Sequence, residues 1–327
     1  MMIPQQFLHL SAQIGSNPLL VQGPGGNTSV KEDGQMWVKA SGTELANAET
    51  QDIFTGVSVE KALAELDGAG DGSCRSALLD SGATLRPSIE TTFHALLPYR
   101  YVFHFHSVGA IAHVISSQGR ECLRKALADF NWRLVPYRKP GIPLTKAIRQ
   151  QQEADVNVFL LQNHGIIVAG DDLEETAGRI EAIEQQLKLP ILAESSEAIT
   201  GNLPEGWQWS PDHCFLATDK VTAERLRAGS YYPDHVVFLG PALPVVAERE
   251  RLGTLPQQCP VGVVQNQGVC IREDATSSQQ AMLGCLADVL SRIPSDWTLD
   301  PIGTEAEVEL LDWDAEKYRQ ELAARGE

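Results

Sequence analysis

Apolar and polar residues alternate along the chain in two patterns, one typical of amphipathic helices and one typical of short buried strands. The first part predicts a helix over residues 5–14, then a glycine-rich turn and a hairpin that reverses at Asp33 and Gly34. The pattern beyond the hairpin predicts strands over 101–107, 156–161 and 166–168, and helices over 58–67, 87–97, 108–117 and 172–188. Strands and helices therefore alternate over about the first 195 residues.

The chain changes character after about residue 195. The glycine- and proline-containing stretch 201–207 predicts a connector into a second module. We therefore expect one domain over residues 1–195 and a smaller C-terminal module over 196–327. A helix of mixed charge over 312–322 is expected to pack on this module rather than to take part in chemistry.

A short internal repeat links the two parts of the chain. Residues 261–268 echo residues 158–165 at a displacement of 103 positions, with Gln267 where the first copy has His164. The stretch 233–240 also loosely resembles a strand of the first part. We interpret the C-terminal module as a degenerate half-copy that has lost its histidine. A chance match between short strand–helix patterns is the alternative.

Composition limits the classes of function. The chain of 327 residues is 43% hydrophobic and 21% charged, and its net charge is −17. This balance is typical of a globular enzyme and leaves no basic stripe for nucleic acid. No apolar run reaches the roughly 18 residues of a membrane span, and the start lacks the features of a secretion signal. Six scattered cysteines fit reduced thiols, so we expect a cytoplasmic protein.

Three histidines carry the strongest chemical signal. His104 and His106 lie on a predicted strand, where side chains two positions apart share one face. His164 follows in the turn Asn-His-Gly. Three neutral imidazoles with one open position are typical of a catalytic metal site. The alternative for any single histidine is a buried core residue.

Two further features lie near these histidines in the predicted fold. Glu90 begins the helix before the His-x-His strand, where a carboxylate can serve as metal ligand or general base. It is equally compatible with a simple helix N-terminal carboxylate. The turn Gly23–Ser29 offers backbone N–H groups suited to an anion, although glycine-rich hairpin turns are common.

Five motifs together resemble those of a known family, the class II aldolase/adducin family. They occur in the family's order, as Gly25–Ser29, Val38–Gly42, Pro87–Glu90, His104–His106 and Asn163–Gly165. The resemblance covers about residues 5–195. The C-terminal module is similar, more weakly, to the second part of the longer rhamnulose-phosphate-aldolase-like members.

The resemblance implies an α/β fold, with a central, mainly antiparallel sheet flanked by helices and a second, smaller α/β lobe. It also implies a Zn²⁺-dependent homo-oligomeric enzyme, although Co²⁺ or Mn²⁺ could replace zinc. The implied reaction is that of an aldehyde-lyase, which cleaves or forms a C–C bond through a zinc-stabilised enediolate. The implied substrate is a small sugar phosphate or sugar acid.

The family's functional positions carry over by motif. His104, His106 and His164 match the zinc ligands, and Glu90 matches the acid/base carboxylate. Tyr137 resembles the tyrosine that enters a neighbouring subunit's site as a proton donor. The positions expected to bind the substrate or its phosphate are Gly26, Asn27, Ser29, Ser41, Gly42 and Ser88.

One departure from the family pattern concerns phosphate. Family aldolases often carry two serines before this helix, whereas here Ser88 is followed by Ile89. Arg86 could compensate for the missing hydroxyl, or the substrate is an unphosphorylated acid or sugar.

Two alternative functions stay open from the sequence. The same metal site can serve an epimerase, dehydratase or decarboxylase of a related sugar acid or its phosphate, because these reactions share an enolate-like intermediate. A non-catalytic, adducin-like scaffold is the other alternative, and it is disfavoured because the three histidines are intact.

Overall fold

The computed structural model describes residues 2–193 and 201–325. The expected domain boundary at residue 195 therefore lies outside the described residues. The described strands are β1 (Asn27–Glu32), β2 (Gln35–Lys39), β3 (Phe54–Ser58), β4 (Tyr101–Phe105), β5 (Trp132–Val135), β6 (Val158–Leu161), β7 (Gly165–Gly170), β8 (Trp207–Trp209), β9 (Val245–Val246), β10 (Val261–Val264) and β11 (Gly268–Arg272).

Helices connect most of these strands. They are α1 (Gln5–Gly15), α2 (Val59–Ala64), α3 (Thr91–Leu96), α4 (Val108–Val114), α5 (Ser117–Ala126), α6 (Ile142–Gln151), α7 (Leu173–Leu187), α8 (Phe215–Thr218), α9 (Lys220–Ala228), α10 (Pro233–Leu239), α11 (Ser277–Leu290), α12 (Thr304–Leu311) and α13 (Asp314–Arg325). Among the described residues, no helix is long and apolar enough to cross a membrane.

The first part of the chain forms one seven-stranded sheet in the order β3-β2-β1-β4-β7-β6-β5. Every neighbouring pair is antiparallel except β5 and β6, which are parallel. The expected mainly antiparallel α/β fold is therefore confirmed. The predicted hairpin also forms as β1 and β2, and Asp172 caps α7 by accepting a hydrogen bond from the Glu175 amide.

The two faces of the sheet bury separate apolar layers. Phe103 and Phe105 of β4 belong to the main core with Phe7 of α1, whereas Val102 packs in a second cluster with Phe159. Because side chains alternate along a strand, this arrangement leaves the intervening histidine of β4 on the face opposite the phenylalanines. The sequence pattern predicted this alternation.

The second sheet has the same order and strand directions as part of the first. Its strands run β8-β11-β10-β9, with two antiparallel pairs and one parallel pair, as in β4-β7-β6-β5. The hairpin turns of the two sheets also match, since Asn163 and Asn266 both adopt the left-handed conformation, with φ of 53° and 57°. These features support the proposed half-repeat. The resemblance of stretch 233–240 to a strand was wrong, because Pro233–Leu239 is a buried helix.

The second sheet and its helices pack against the first part of the chain. Helix α4 contacts α11, and residues of both parts share the main apolar core. The amide of Asn163 donates hydrogen bonds to the carbonyl oxygens of Tyr231 (3.0 Å) and Asp300 (2.6 Å). The β6–β7 turn is therefore fastened to the C-terminal part.

We predict that Asn163→Ala lowers the free energy of unfolding by about 2–4 kcal/mol. Alanine tolerates the left-handed conformation less well and leaves two carbonyl oxygens without their donor. Asn266→Ala, at the equivalent turn of the second sheet, is the matched control, because Asn266 has a similar φ but is exposed. We expect it to lose about 1 kcal/mol. Urea unfolding of both variants measures the difference, and equal losses would contradict the role of the Asn163 hydrogen bonds.

Candidate metal centre

Strand pairing brings the candidate metal ligands together. In β4, His104 lies opposite Asn27 of β1 on one side and Ile167 of β7 on the other. The β6–β7 turn carries His164 to the end of β4, where His106 lies. This approach requires glycine at the next position, because a Cβ on Gly165 would lie 2.6 Å from the Phe105 carbonyl oxygen.

The three imidazoles converge as the sequence predicts. Their ring centroids are 4.9–5.2 Å apart, and one nitrogen from each lies within 4.8 Å of the others. The Nδ1–H of His104 donates to the Ile166 carbonyl oxygen at 2.9 Å, which leaves Nε2 as a free lone pair. Burial lowers the pKa of His104 to about 4 and that of His164 well below its usual value. These two imidazoles are therefore neutral at physiological pH.

The residues present fit a divalent cation. Nε2 of His104, Nδ1 of His164 and Oε1 of Glu90 are buried without a hydrogen-bond partner among the described residues. Leaving several buried polar atoms unpaired is costly, and a bound cation would relieve that cost. Three imidazoles with an adjacent carboxylate are a donor set suited to Zn²⁺ and related ions.

Glu90 lies directly beside the histidines. Its Oε2 is 3.3 Å from Nε2 of His104, and its Oε1 is 3.7 Å from Nε2 of His164. Glu90 is the residue that immediately precedes α3, and its backbone amide donates to Oγ of Ser88 at 3.2 Å. The carboxylate is therefore fixed by the turn before the helix rather than by the first helical turn, where the sequence placed it.

A chain of hydrogen bonds fixes the orientation of this carboxylate. The Ser29 hydroxyl donates to Nδ1 of His94, Nε2–H of His94 donates to Oδ1 of Asn27, and the Asn27 amide donates to Oε2 of Glu90. The distances are 2.7, 2.5 and 2.9 Å in that order. Burial lowers the pKa of His94 well below its usual value, and a neutral ring suits these donor and acceptor roles. No motif in the sequence marks His94 for this contribution.

A small pocket adjoins the metal centre. Most of the positions expected to bind substrate line it, namely Gly26, Asn27, Ser41, Gly42 and Ser88. Ile89 lines it too, at the position where family aldolases often carry a serine. Arg86 does not replace that serine here, because its guanidinium lies 3.6 Å from the Tyr318 ring centroid and lines a neighbouring cleft.

Two predicted site residues lie outside this pocket. Ser29 is fully buried and its hydroxyl is bonded to His94, so it supports Asn27 indirectly instead of facing substrate. Tyr137 lies near Glu307 and Glu309 of α12, and its hydroxyl has no hydrogen-bond partner among the described residues. The predicted role of Tyr137 in a neighbouring subunit stays a prediction.

The C-terminal part of the chain contributes four of the pocket's lining residues: Pro233, Asp234, Glu316 and Arg319. The Arg319 guanidinium is buried between Oδ1 of Asp234 (3.0 Å) and Oε2 of Glu316 (2.8 Å). The last helix packs on α10 and α12 of the C-terminal part, as expected, and its side chains also line the pocket. No local motif marks these residues, because they reach the histidines through tertiary packing alone.

Lys39 at the end of β2 is a second buried cation that the sequence reading missed. Its ammonium group donates to the Pro24 carbonyl oxygen at 3.0 Å. Burial, reinforced by the positive charge of Arg319, lowers the pKa of Lys39 to about 7. The pocket thus holds two basic side chains, one of which changes its charge near neutral pH.

Helix α13 closes the pocket on the side away from the sheet. The cavity volume is about 30 Å³, whereas a neighbouring cleft that includes Tyr318 measures about 570 Å³. Leu322 packs directly on Gly42, where a Cβ would meet Cδ1 of Leu322 at 2.2 Å. A cavity of this size holds about one or two waters, so a sugar-sized ligand requires some of the lining residues to move.

A buried carboxylate supports the end of β4 from outside the pocket. Oε2 of Glu184 accepts a hydrogen bond from the Ser107 hydroxyl at 2.8 Å. Burial raises the pKa of Glu184 to about 7, although the Ser107 hydrogen bond opposes that rise.

Comparison with known families gives a match over the first part of the chain. The class II aldolase and adducin N-terminal domain matches residues 5–191. This range includes the three histidines and Glu90, and it ends before Asp234 and the C-terminal helices.

Three curated proteins are similar to parts of the chain. The uncharacterised oxidoreductase YuxG of Bacillus subtilis is 30% identical over 205 residues, which are 56% of this chain and 29% of YuxG. The L-fuculose phosphate aldolase of Methanocaldococcus jannaschii is 25% identical over 203 residues, or 58% of this chain and 95% of that protein. The 3-oxo-tetronate 4-phosphate decarboxylase of Escherichia coli K12 is 34% identical over 119 residues, or 32% of this chain and 55% of that protein. The chain therefore spans under a third of YuxG and about half of the decarboxylase.

We predict that His164→Gln reduces metal affinity by more than about 100-fold, since one of three imidazole ligands is lost. Glutamine is the residue that the chain carries at the equivalent turn of its second sheet. His113→Gln is the control, because His113 is also buried but bonds to the Gly109 carbonyl oxygen away from the pocket. Elemental analysis after dialysis measures bound metal. Full metal content in His164→Gln would contradict the ligand assignment.

We also predict that part of the stability of the protein is lost as pH rises through the pKa of Glu184. The folded protein keeps this proton up to about pH 7, whereas an unfolded glutamate loses it near pH 4.5, so the free energy of unfolding falls across that window. In Glu184→Gln, the fall in the free energy of unfolding across this pH window should be smaller by roughly 1–2 kcal/mol. Glu181→Gln, an exposed position on the same helix, is the control. Urea unfolding at several pH values tests the prediction, and an unchanged pH dependence in Glu184→Gln would refute it.

Proposed function

Because the chain belongs to the class II aldolase and adducin family, we propose that it is a metal-dependent lyase. Its reaction would cleave or form a carbon–carbon bond in a small sugar phosphate or sugar acid. The observation that carries this proposal is the free carboxylate oxygen of Glu90 beside three convergent, buried imidazoles.

His104, His106 and His164 would hold the cation, for which Zn²⁺ is proposed from the donor set. When bound, a divalent cation supplies Lewis-acid polarisation of a substrate carbonyl. The remaining work falls to groups of the chain itself, because carbon–carbon cleavage next to a carbonyl needs a base and a donor for the protons that move.

Glu90 is the proposed acid and base. Its Oε2 is occupied by the Asn27 amide, and its Oε1 has no hydrogen-bond partner among the described residues, so Oε1 is the oxygen available to take or return a proton. The Ser29–His94–Asn27 hydrogen bonds keep the carboxylate in this orientation. A positioned general base of this kind contributes about 10²–10⁴-fold to rate.

The pocket favours an anionic substrate group. Lys39 and Arg319 bring basic side chains to the pocket, and Ser41 and Gly42 line it beside them. A carboxylate or a phosphate would be compatible with this combination. The substitution of serine by Ile89 removes one hydroxyl from this lining.

Decarboxylation is the second candidate reaction. It is favoured by the similarity to a 3-oxo-tetronate 4-phosphate decarboxylase and by cations that suit a substrate carboxylate. Both candidates break a carbon–carbon bond next to a carbonyl, and only the released fragment differs: an aldehyde in one case and carbon dioxide in the other. The intact and convergent donor set argues against a non-catalytic scaffold.

Assembly and location are further parts of the proposal. We propose a cytoplasmic homo-oligomer in which Tyr137 of one subunit reaches the site of a neighbour as a proton donor. Support comes from the resemblance in sequence and from the position of Tyr137 outside its own chain's pocket.

We predict that Glu90→Gln keeps its metal but loses about 10²–10⁴-fold in kcat/KM, because the amide cannot take up the proton. The assay uses metal-loaded protein with a panel of ketose phosphates and sugar acids, and it measures released aldehyde and carbon dioxide separately. The released fragment thus decides between aldolase and decarboxylase.

Glu184→Gln is the matched control for this experiment, since Glu184 is a partly buried glutamate outside the pocket. Its kcat/KM should stay within about twofold of wild type. Unchanged turnover in Glu90→Gln would remove Glu90 from the reaction. Absence of turnover of every panel member by the metal-loaded wild type would argue against a lyase.

A further inference from the structure

We propose that Asp234, from the C-terminal part of the chain, is a positioning residue of the metal centre that orients His106. The inference rests on the metal site of the proposed function. It assigns the C-terminal part a direct role in metal binding, although the family domain that the chain matches ends at residue 191.

The geometry of the Asp234 carboxylate carries this proposal. Oδ2 lies 3.1 Å from Nδ1 of His106, while Oδ1 lies 3.0 Å from the Arg319 guanidinium. Oδ2 is buried and has no hydrogen-bond partner among the described residues, and Asp234 as a whole is only 2% exposed. Nδ1 of His106 is therefore the polar group that this buried oxygen contacts.

The glycine-rich turn leaves room for this contact. A Cβ on Gly25 would lie 3.0 Å from Nδ1 of His106 and 3.2 Å from Oδ2 of Asp234. Any other residue at this position would crowd both partners. The turn therefore contributes space for a contact between β4 and α10, besides the backbone donors that the sequence analysis assigned to it.

The other oxygen of Asp234 is paired with a buried cation. Oδ1 lies 3.0 Å from the Arg319 guanidinium, which leaves Oδ2 directed at His106. Arg319 has Glu316 as a second carboxylate partner at 2.8 Å, so neutralising Arg319 does not by itself require Asp234.

An ionised carboxylate at Nδ1 has a defined effect on an imidazole ligand. It favours the tautomer with the proton on Nδ1, leaves Nε2 as the donor for a cation, and restricts rotation of the ring. Within the sheet, the Ile166 carbonyl oxygen orients the His104 ring in the same way, by accepting a hydrogen bond from its Nδ1–H. His106 lies beyond the end of β4, where no sheet partner is in register, and the carboxylate arrives from α10 instead.

The test compares Asp234→Ala, Asp234→Asn and Glu316→Gln in the full chain. Zn²⁺ affinity is measured by competition with a chromophoric chelator, the visible spectrum of the Co²⁺ form reports ligand geometry, and urea unfolding of the metal-free forms reports stability. Glu316→Gln is the matched control, because it alters a buried carboxyl group that contacts the same arginine.

We expect Asp234→Ala to bind Zn²⁺ about 10–100-fold more weakly than wild type. Asp234→Asn should fall between them, because an amide oxygen still accepts from Nδ1–H but carries no charge, and both variants should alter the Co²⁺ spectrum. Glu316→Gln should stay within about threefold of wild type. The loss of Zn²⁺ affinity in the Asp234 variants should exceed any loss in the free energy of unfolding of their metal-free forms. A purely structural role would not produce this difference.

The outcomes separate this inference from the proposed function. Wild-type affinity in both Asp234 variants, or an equal loss in Glu316→Gln, would overturn the positioning role while leaving the metal centre in place. Absence of Zn²⁺ binding by the wild type would overturn the proposed function, and this inference with it. If Asp234→Ala fails to fold, Asp234→Asn supplies the same comparison.

Discussion

The antiparallel pairing of β4 with β1 and β7 is the constraint on which the candidate site depends. It places Asn27 beside His104 on one side and brings the β6–β7 turn to the end of β4 on the other. Because residues two apart on a strand share a face, Phe103 and Phe105 can form the core while the histidine between them faces the pocket. A one-residue shift in register would reverse both faces at once.

Burial determines the chemistry at this site. Removing imidazoles from water keeps them neutral and therefore able to bind a cation. The same burial makes unpaired polar atoms costly, so the carboxylates and the two cations nearby are arranged in contact with one another. Arg319 forms ion pairs with two carboxylates, and Lys39, with a pKa of about 7, is only partly charged at physiological pH. The pocket therefore carries little uncompensated charge of either sign before a ligand binds.

The C-terminal part of the chain both repeats the strand order of the first sheet and lines the pocket of that sheet. Its sheet repeats the order of four strands of the first sheet, which supports an origin as a degenerate half-copy. Its helices, however, complete the pocket of the first sheet, with Asp234 from α10 and Arg319 from α13. The second sheet carries Gln267 at the position equivalent to His164, and helices of the C-terminal part contact the intact site instead.

The sequence by itself determined several elements of the first part and the candidate metal-binding trio. Strand periodicity fixed the shared face of His104 and His106, and motif order located His164, Glu90 and most of the pocket turn, because these depend on local spacing. Only the tertiary structure decided that Ser29 and His94 act through Asn27, that Tyr137 lies outside its own pocket, and that Lys39, Asp234 and Arg319 lie within it. Such contacts join residues far apart in the chain, and no local pattern of side chains records which distant surface will cover a site.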